Sequence, residues 1–473
     1  MQRVTQILVA LRAPRVHPGA PAGEIFEGRL CRWIVFKFSA GVRKRTSAAL
    51  PVIVCMFSAG ARKTTRGGAR CAPQGERLTL PRLVRFIAKN MRIFSHWAGL
   101  ALCLTGVSLA WGDDKGVVSV GLEEFIGGTG ESAVELVRTG LSNSGVIQAA
   151  PGVSGVGQGW LLRGSSSAGR IDGALLDEKG TVVFNNQYTE PDLRDNAHAF
   201  ADDVVTAITQ ARGIAATKIS FVSRRGGRPE IYLADSDGQR IRQVTSDGAL
   251  KGAPALGPGG LLLAYTSYQS GFADVFIKDL RFGTEQALLN GPGTNSGAAF
   301  SHDGLRMALT MSYEGDTEIY VCGMSGSRAR ARRVTDSRSV EFSPSWSPDG
   351  TRLVFCSDAG GVPQLFVVPS KGGDPERLET GYRNNTSPDW SPDGVHIAFT
   401  GRQSSGAAVV LYDLTSGKSR VVLSRAHDPS WAPNGRHLAA VQDGELVVLD
   451  TVTGKSRTIV RGFAGLDEPS WSR

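Results

Sequence analysis

Three short stretches of this chain have the composition of a catalytic or ligand-binding loop. Gly127-Gly-Thr-Gly130 lies between a strand-like run and a helix-like run, which is the setting of a phosphate-binding loop. No Gly-Lys-Ser/Thr follows it, so a tight turn is the favoured interpretation. Gly155-Val-Gly-Gln-Gly159 lacks the dinucleotide fingerprint, and Gly164-Ser-Ser-Ser-Ala168 lacks the second glycine of a nucleophile elbow. None of the three predicts an active site.

The histidines and cysteines are spaced singly rather than in metal-binding patterns. The histidines considered were His198, His302, His396, His427 and His437. For each of them a surface or packing role is favoured over catalysis. Cys322 and Cys356 fall on separate predicted strands without Cys-x-x-Cys spacing, so metal binding is not expected. Two buried thiols are favoured over a disulfide, whose geometry the sequence cannot establish. We therefore expect no catalytic residue, cofactor or metal.

The elements that would position any functional residue follow from a phrase repeated in the C-terminal half. Pro-Ser-Trp-Ser-Pro-Asp-Gly occurs in six variants, clearest at Pro344 to Gly350 and Pro388 to Gly394. The closing glycines fall at 260, 304, 350, 394 and 435, in steps of 44, 46, 44 and 41 residues. This period is the size of one four-stranded propeller blade. Glycine permits the turn, and the tryptophan supplies an apolar plate between sheets.

The two ends of the repeat array complement each other. The first three-strand unit, Lys218 to Thr245, has no tryptophan strand before it, and the last tryptophan strand, Glu468 to Trp471, has no unit after it. Strand 468–471 should therefore complete the first blade and remove two exposed sheet edges. The prediction is a six-bladed β-propeller of WD40-like repeats over residues 215–473.

The start of the chain has a different composition. Residues 1–90 contain 17 Lys and Arg against 3 acidic residues, a net charge of +14, whereas the whole chain carries +9, so 91–473 carries −5. The basic character therefore does not indicate nucleic-acid binding by the folded part. We interpret 1–90 as an upstream extension or leader. Residues 91–112, from Met91, have the pattern of a signal peptide, with Arg92 before the apolar run Trp97 to Ala110. No membrane span is expected in the mature chain.

Residues 113–214 predict a small α/β domain. The strand-like runs are Val117 to Leu122, Val146-Ile147, Trp160 to Leu162, Ile171 to Leu176 and Thr181 to Phe184. Apolar residues at three- and four-residue steps predict helices over Glu131 to Leu141 and over Asn196 to Arg212, the second ending at Gly213. The fold class is thus α+β multidomain, with a small α/β domain followed by the propeller.

This order of segments resembles the TolB family, the periplasmic propeller proteins of the Tol–Pal envelope system. The resemblance covers about Val117 to Arg473 and rests on the signal, the α/β domain and the Pro-x-Trp-Ser-Pro-Asp-Gly blades. It implies a non-enzymatic, monomeric periplasmic adaptor. The adaptor would bind the peptidoglycan-associated lipoprotein Pal through its propeller and support outer-membrane integrity and constriction at cell division. In the family, an extended segment before the first domain strand engages TolA. Here only Asp113 to Gly116 lie between the predicted signal peptide and that strand, so the resemblance does not decide whether TolA is bound.

The predicted binding face is the end of the propeller away from the α/β domain. Two sets of loops should emerge there, those before each tryptophan strand and those between the second and third strands. The first set offers Asn295, Glu341, Asn384, Asn385, His427 and Asp428, and the second offers Arg224, Arg225, Tyr268, Tyr313, Glu314 and Asp358. Two alternatives remain: a secreted propeller that binds another protein or a glycan, and a hydrolase whose catalytic part lies outside this chain.

Overall fold

The computed structural model describes residues 34–36, 52–54, 117–123, 125–127, 130–151, 159–289, 293–324 and 331–473. Strand β1 (Ile34–Phe36) pairs antiparallel with β2 (Val52–Val54). The rest of the predicted leader and the whole predicted signal peptide, residues 91–112, lie outside the described residues.

A five-stranded sheet and two helices precede the propeller. The strands are β3 (Val118–Leu122), β4 (Ile147–Pro151), β5 (Trp160–Ser167), β6 (Arg170–Leu176) and β7 (Val182–Tyr188), and the helices are α1 (Gly130–Asn143) and α2 (Leu193–Thr209). The order across the sheet is β4-β3-β5-β6-β7, with β3 parallel to β4 and β5 and the remaining pairs antiparallel. The core between helices and sheet is centred on Phe200, whose ring packs against Phe125 and Phe184.

The second helix ends earlier than its sequence predicts. Helix α2 stops at Thr209, because Gln210 adopts φ 61° and its N–H donates to Thr206 O at 2.9 Å. The prediction of an end at Gly213 is therefore wrong. Gly213 instead allows the chain to pass Asp202, since an added Cβ would lie 2.4 Å from the Asp202 Cα atom. The Asp202 carboxylate accepts hydrogen bonds from the next N–H groups, those of Ala215 and Ala216.

Six four-stranded antiparallel sheets form the propeller. Blade 1 contains β8 (Lys218–Ser223), β9 (Glu230–Asp235), β10 (Arg242–Gln243) and β31 (Asp467–Trp471); blade 2 contains β11 (Lys251–Leu256), β12 (Leu262–Ser267), β13 (Asp274–Asp279) and β14 (Glu285–Leu289); blade 3 contains β15 (Asn295–Phe300), β16 (Arg306–Met311), β17 (Glu318–Gly323) and β18 (Arg332–Arg333). Blade 4 contains β19 (Glu341–Trp346), β20 (Arg352–Ser357), β21 (Gln364–Pro369) and β22 (Glu376–Arg377); blade 5 contains β23 (Asn385–Trp390), β24 (His396–Gln403), β25 (Gly406–Asp413) and β26 (Lys418–Ser424); blade 6 contains β27 (Ala426–Trp431), β28 (His437–Gln442), β29 (Glu445–Asp450) and β30 (Ser456–Val460).

The ring closes as predicted. Strand β31 pairs antiparallel with β8, with Ser470 opposite Ser220 and Trp471 opposite Ile219. The six innermost strands, β31, β11, β15, β19, β23 and β27, contact one another in turn around the centre. The tryptophans of the repeat, Trp346, Trp390, Trp431 and Trp471, are among the largest fully buried side chains. The repeated phrase thus builds the inner wall of the ring and the packing between its blades.

The recurrent Asp-Gly pairs have a structural role. Asp349 accepts hydrogen bonds from Ser347 Oγ at 2.6 Å and Thr351 N at 3.0 Å, and Gly350 has φ 64°. Asp393 makes the same contacts with Ser391 Oγ and Val395 N. Such carboxylate-stabilised turns account for the aspartates without catalysis.

Both propeller cysteines are buried free thiols, as predicted. Cys322 lies on β17 and Cys356 on β20. Burial raises the pKa of the Cys322 thiol to about 11, so it stays protonated at neutral pH.

The α/β domain is joined to blade 1 by a buried carboxylate. Asp235, which is 3% exposed, ends β9. Its oxygens lie 3.0 Å from Arg194 Nε on α2, 2.9 Å from Lys218 Nζ and 2.8 Å from Arg240 Nε. Burial favours the neutral acid, but Arg240 and Lys218 hold the pKa of Asp235 below its ordinary value. The junction therefore depends on a charge that the α/β domain and the propeller neutralise together.

Candidate functional site

The two predicted sets of loops emerge at the same end of the ring. Backbone hydrogen bonds join the loop before an inner strand to the loop between the second and third strands of the same blade. They run from Tyr268 N to Leu250 O, from Ser312 N to Thr294 O, from Asp358 N to Val340 O and from Arg402 N to Asn384 O. We call this end the loop face. The opposite end, the turn face, contains the Asp-Gly turns, and there Arg436 Nη2 of blade 6 donates to Gly145 O of the α/β domain at 2.9 Å.

Seven of the twelve predicted binding residues present side chains at the loop face. Arg224, Arg225, Tyr268, Tyr313 and Glu314 are exposed, and Asn384 and Asp358 are half-buried. Three exposed apolar neighbours, Leu250, Phe272 and Val340, were missed by the sequence analysis. No periodic signal marks them, because they stand in loops of irregular length. The loop face of blades 2 to 4 is thus partly apolar, and such patches favour protein contact.

The prediction needs correction for Asn295, Glu341 and Asn385, which are all at most 3% exposed. Each is the first residue of an inner strand, and its side chain turns inward beneath the loops. Asn295 Nδ2 donates to Asp274 Oδ1 at 3.1 Å, and Asn385 Nδ2 donates to Gln364 Oε1 at 2.9 Å. These side chains hold blades together and are not available to a partner.

Glu341 occupies the same position as the two asparagines but faces a carboxylate. Its neighbour Glu318, also buried, accepts from Arg333 Nη2 and Thr335 Oγ1, both at 2.7 Å. Glu341 Oε1 accepts from Ser337 Oγ at 3.0 Å, whereas Oε2 has no donor among the described residues. Burial and the Glu318 charge raise the pKa of Glu341 to about 7. A protonated Glu341 can donate as the asparagines do.

Replacing Glu341 with Gln is expected to weaken the pH dependence of propeller stability. Because its folded pKa lies above its ordinary value of 4.5, the stabilisation from Glu341 is fully present below pH 4.5 and lost as pH rises through about 7. The glutamine in Glu341→Gln keeps a hydrogen-bond donor at every pH. At about pH 8 the free energy of unfolding of this variant should therefore be higher than that of the parent by on the order of 2–3 kcal/mol. Urea unfolding at several pH values measures this, with the exposed Glu314→Gln as control. Parallel pH curves for parent and Glu341→Gln would contradict it.

A repeated β-bulge shapes the channel at the centre of the ring. Each inner strand shifts register against its neighbour across two residues, the second of which is the repeat's first proline, or Ala298 in blade 3. The bulged residues all have positive φ and are Ala253, Gly297, Ser343, Ser387, Asp428 and Glu468. They line a central cavity of about 250 Å³. The bulge at the same position of all six inner strands thus places equivalent residues around the central cavity.

Side chains next to the bulges link successive blades. Ser345 Oγ accepts from Trp390 N, Asp389 Oδ2 accepts from Trp431 N, Ser430 Oγ accepts from Trp471 N, and Ser470 Oγ accepts from Leu256 N, over 2.7–3.1 Å. These bonds satisfy backbone donors of the inner strands. They make neighbouring blades interdependent.

A histidine–carboxylate cluster lies at one side of the channel. His427 Nδ1 is 3.2 Å from Asp428 Oδ2 and 3.5 Å from Asp467 Oδ1. The Asp428 carboxylate raises the pKa of His427, and burial together with Asp428 raises the pKa of Asp467 to about 7. Asp467 and Glu468 were missed by the sequence analysis, although they precede Pro469 as His427 and Asp428 precede Pro429. Aligning the repeats position by position would have found them.

Three ligand atoms from this cluster lie within 4.8 Å of one another, the one such group among the described residues. Surface carboxylates often have this spacing without an ion, so the arrangement alone assigns no metal. The cluster offers one imidazole and two carboxyl groups for hydrogen bonding at this side of the channel.

Arg473 closes the channel toward the turn face. Its guanidinium contacts Asp389 of blade 5 and lies 3.2 Å from His302 Nε2 of blade 3, while its carbonyl accepts from Gly259 N of blade 2. Burial and Arg473 lower the pKa of His302 to about 4, so this histidine is neutral at pH 7. This one residue thus contacts blades 5 and 3 through its side chain and blade 2 through its main chain.

A second cavity of about 820 Å³ lies between the α/β domain and blades 5 and 6. Val146 and Val205 line one side, and Trp431, Arg436 and Val452 line the other.

Among the described residues no helix is long and apolar enough to cross a membrane.

Comparison with known proteins agrees with this architecture. The family model for the TolB β-propeller domain, PD40, matches residues 205–473. A Tol-Pal system protein TolB from Bordetella pertussis is 32% identical over 318 residues, which cover 66% of this chain and 70% of that protein. TolB homologues from Chlorobium luteolum and Chlorobium chlorochromatii are 36% and 35% identical, but the matches span less than half of either relative.

The fold also matches a solved structure. The crystal structure of TolB from Acinetobacter baumannii has a TM-score of 0.64 and 24% identity, covering 75% of this chain and 96% of that one. The likeness extends beyond the propeller, because the propeller alone is little more than half of this chain. On the family model and the Bordetella relative, this chain belongs to the TolB family.

Proposed function

We propose that this chain is a non-enzymatic periplasmic adaptor of the Tol–Pal system that binds a Pal-like peptidoglycan-associated lipoprotein. Membership of the TolB family supports a role in the Tol–Pal system. The exposed side chains of the loop face support binding of the lipoprotein at that end of the propeller. That face lies away from the α/β domain and surrounds one end of the channel with exposed aromatic and charged side chains. The observation that carries the proposal is the pair of exposed tyrosines, Tyr268 at 46% and Tyr313 at 60%, on adjacent blades. Tyrosine and arginine are frequent anchors of protein interfaces.

Export is part of the same proposal. Residues 91–112 would direct the chain to the periplasm and be removed within Trp111 to Asp113, before the first described strand of the α/β domain. In that compartment the adaptor would support outer-membrane integrity and constriction during division. N-terminal sequencing of the protein purified from the cell envelope tests this, and a mature chain that retains any of residues 1–90 contradicts it.

The double substitution Tyr268→Ala with Tyr313→Ala is expected to weaken Pal binding by more than about 2 kcal/mol. Both rings are exposed and would be buried on docking, whereas their loss leaves the blade cores intact. Calorimetric titration with the soluble domain of the Pal protein from the same genome measures the change. Circular dichroism should show unchanged folding.

A matched control exists on the opposite end. Leu261 and Leu305 are exposed by 44% and 69% on the turn face of the same two blades. Leu261→Ala with Leu305→Ala should leave the affinity for Pal unchanged. Parent-like affinity in the tyrosine variant, combined with lost binding in the leucine variant, would place the interface on the turn face instead. No binding by the folded parent would reject Pal as the partner.

A further inference from the structure

Strand β7 leaves one edge of the α/β sheet unpaired. It is the last strand in the order β4-β3-β5-β6-β7, and no other described strand pairs with it. In an antiparallel ladder alternate residues direct their N–H and C=O groups away from the neighbouring strand. Residues Val182–Tyr188 therefore present a row of backbone donors and acceptors to solvent.

The outer edges of the six blades and the opposite edge of the α/β sheet are protected. The outermost strand of every blade contains a charged residue, namely Arg242, Glu285, Arg332, Glu376, Lys418 and Arg457 in blades 1 to 6. Three of these strands, β10, β18 and β22, have only two residues. The opposite edge of the α/β sheet, β4, ends at Pro151. Short length, charge and proline are the usual protections against edge-to-edge pairing.

Strand β7 has none of these protections. Its seven residues, Val-Val-Phe-Asn-Asn-Gln-Tyr, include no charge, proline or glycine. A register shift against β6 affects only its first residues. The same chain protects the outer edges of its blades. An unprotected edge of seven residues therefore indicates that β7 accepts another strand.

The edge is rigid as well as open. Phe184 and Tyr188 turn toward the helices, where their rings lie 6.1 and 5.6 Å from that of Phe200. The Tyr188 hydroxyl donates to Asp203 Oδ2 at 2.6 Å. Val183 and Asn185 are exposed. A strand already held in its extended form loses little conformational entropy when it accepts another strand.

Charge at the two ends of β7 narrows the choice of occupant. Asp177, Glu178 and Lys179 precede the strand and Glu190 follows it, which leaves a net charge of −1 at each end, whereas Asp192 further on is already 3.5 Å from Arg240 Nη1. If two copies paired antiparallel about Asn185, Glu190 of one copy would lie diagonally beside Glu178 of the other, which is unfavourable. A strand with basic residues at its ends would instead complement both flanks.

We propose that β7 is an acceptor edge for an extended segment of another protein. The segment adds to the sheet as a sixth strand by main-chain hydrogen bonds. It is an uncharged, β-prone run about as long as β7, with Lys or Arg beyond each end. This surface belongs to the α/β domain and is separate from the loop face.

A synthetic peptide of seven alternating threonine and valine residues between two pairs of lysines tests the proposal. When this peptide binds the full chain, the backbone amides of residues 182–188 should exchange their hydrogens more slowly than in the chain without peptide. Asn185→Lys places a charge on the edge and should lower the affinity at least about tenfold. Val421→Lys, on the already charged edge strand β26, is the matched control and should bind as the parent does.

A peptide with the same core between glutamate pairs separates edge pairing from simple charge attraction. It should bind more weakly than the lysine peptide but protect the same amides. Protection elsewhere, or equal binding by Asn185→Lys and the parent, overturns the proposal. Self-association of the chain without peptide, abolished by Asn185→Lys, would also overturn it by showing that a second copy is the occupant.

Discussion

Deletion of Glu468–Arg473 is expected to abolish cooperative unfolding of the propeller. The deletion removes most of β31, the innermost strand of blade 1, and exposes the edge of β8. Trp471, which is 1% exposed and donates from Nε1 to Thr217 Oγ1 at 2.8 Å, is lost with it. Losing a buried tryptophan alone costs about 3–5 kcal/mol. The links from Glu468 to Ala253 N and from Arg473 to Asp389 disappear as well. The total approaches the whole stability of a typical domain, about 5–15 kcal/mol.

Thermal unfolding followed by near-ultraviolet circular dichroism measures the effect. Trp471→Ala should show a smaller loss than the deletion, because the strand and its backbone hydrogen bonds remain. Adding a peptide of residues 466–473 in trans should partly restore the transition of the deleted chain. An unchanged melting curve for the deletion would mean that β31 does not close the ring in solution.

The blade count could be predicted because each repeat encodes its own turn and strand. The Asp-Gly or Asn-Gly pair sets the turn, and the tryptophan three residues before it marks the buried inner strand. The unmatched first unit and the unmatched last strand then required closure between Lys218–Ser223 and Asp467–Trp471. These inferences depend on local chemistry repeated at a fixed spacing, which a sequence displays directly.

The candidate site was predicted less well, because burial in a loop depends on neighbouring blades. Asn295 and Asn385 are polar and precede a strand, which in sequence resembles an exposed loop position. In the structure each pairs with a polar residue of the preceding blade and is covered. The end of α2 was misplaced for a similar reason. Gln210 takes the left-handed conformation there, whereas Gly213 serves a close contact with Asp202.

The charged junction at Asp235 is likewise hard to predict from the sequence, since Arg194 and Lys218 are 41 and 17 residues away from it. Arg194 belongs to the α/β domain, whereas Lys218 and Arg240 belong to blade 1. Arg194 also contacts Asp237 in the same turn. These five side chains form one network in which each cation helps to offset the burial of Asp235. Removing the central charge should therefore affect both folded parts of the chain.

Replacing Asp235 with Asn is expected to destabilise the junction by about 1–3 kcal/mol, because three partly buried cations lose their shared counter-charge, although Arg194 keeps Asp237 and Arg240 keeps Asp195. The pKa of Asp235 lies below its ordinary value of 3.8, so its stabilisation is present above that pH and lost as pH falls below it. Unfolding of the parent should thus lose stability in acid, and the loss should be smaller in Asp235→Asn.

Hydrogen exchange locates the effect of this substitution. Amides of α2 and β9 should exchange faster in Asp235→Asn at neutral pH, whereas those of blades 3 and 4 should change little, since they lie outside the network. Asp374→Asn, an exposed aspartate of blade 4, is the control and should match the parent. Uniformly faster exchange through all six blades would contradict a local role and would mean that Asp235 supports the ring as a whole. Parent-like exchange throughout would mean that Asp195 and Asp237, which also contact these cations, are enough to hold the junction.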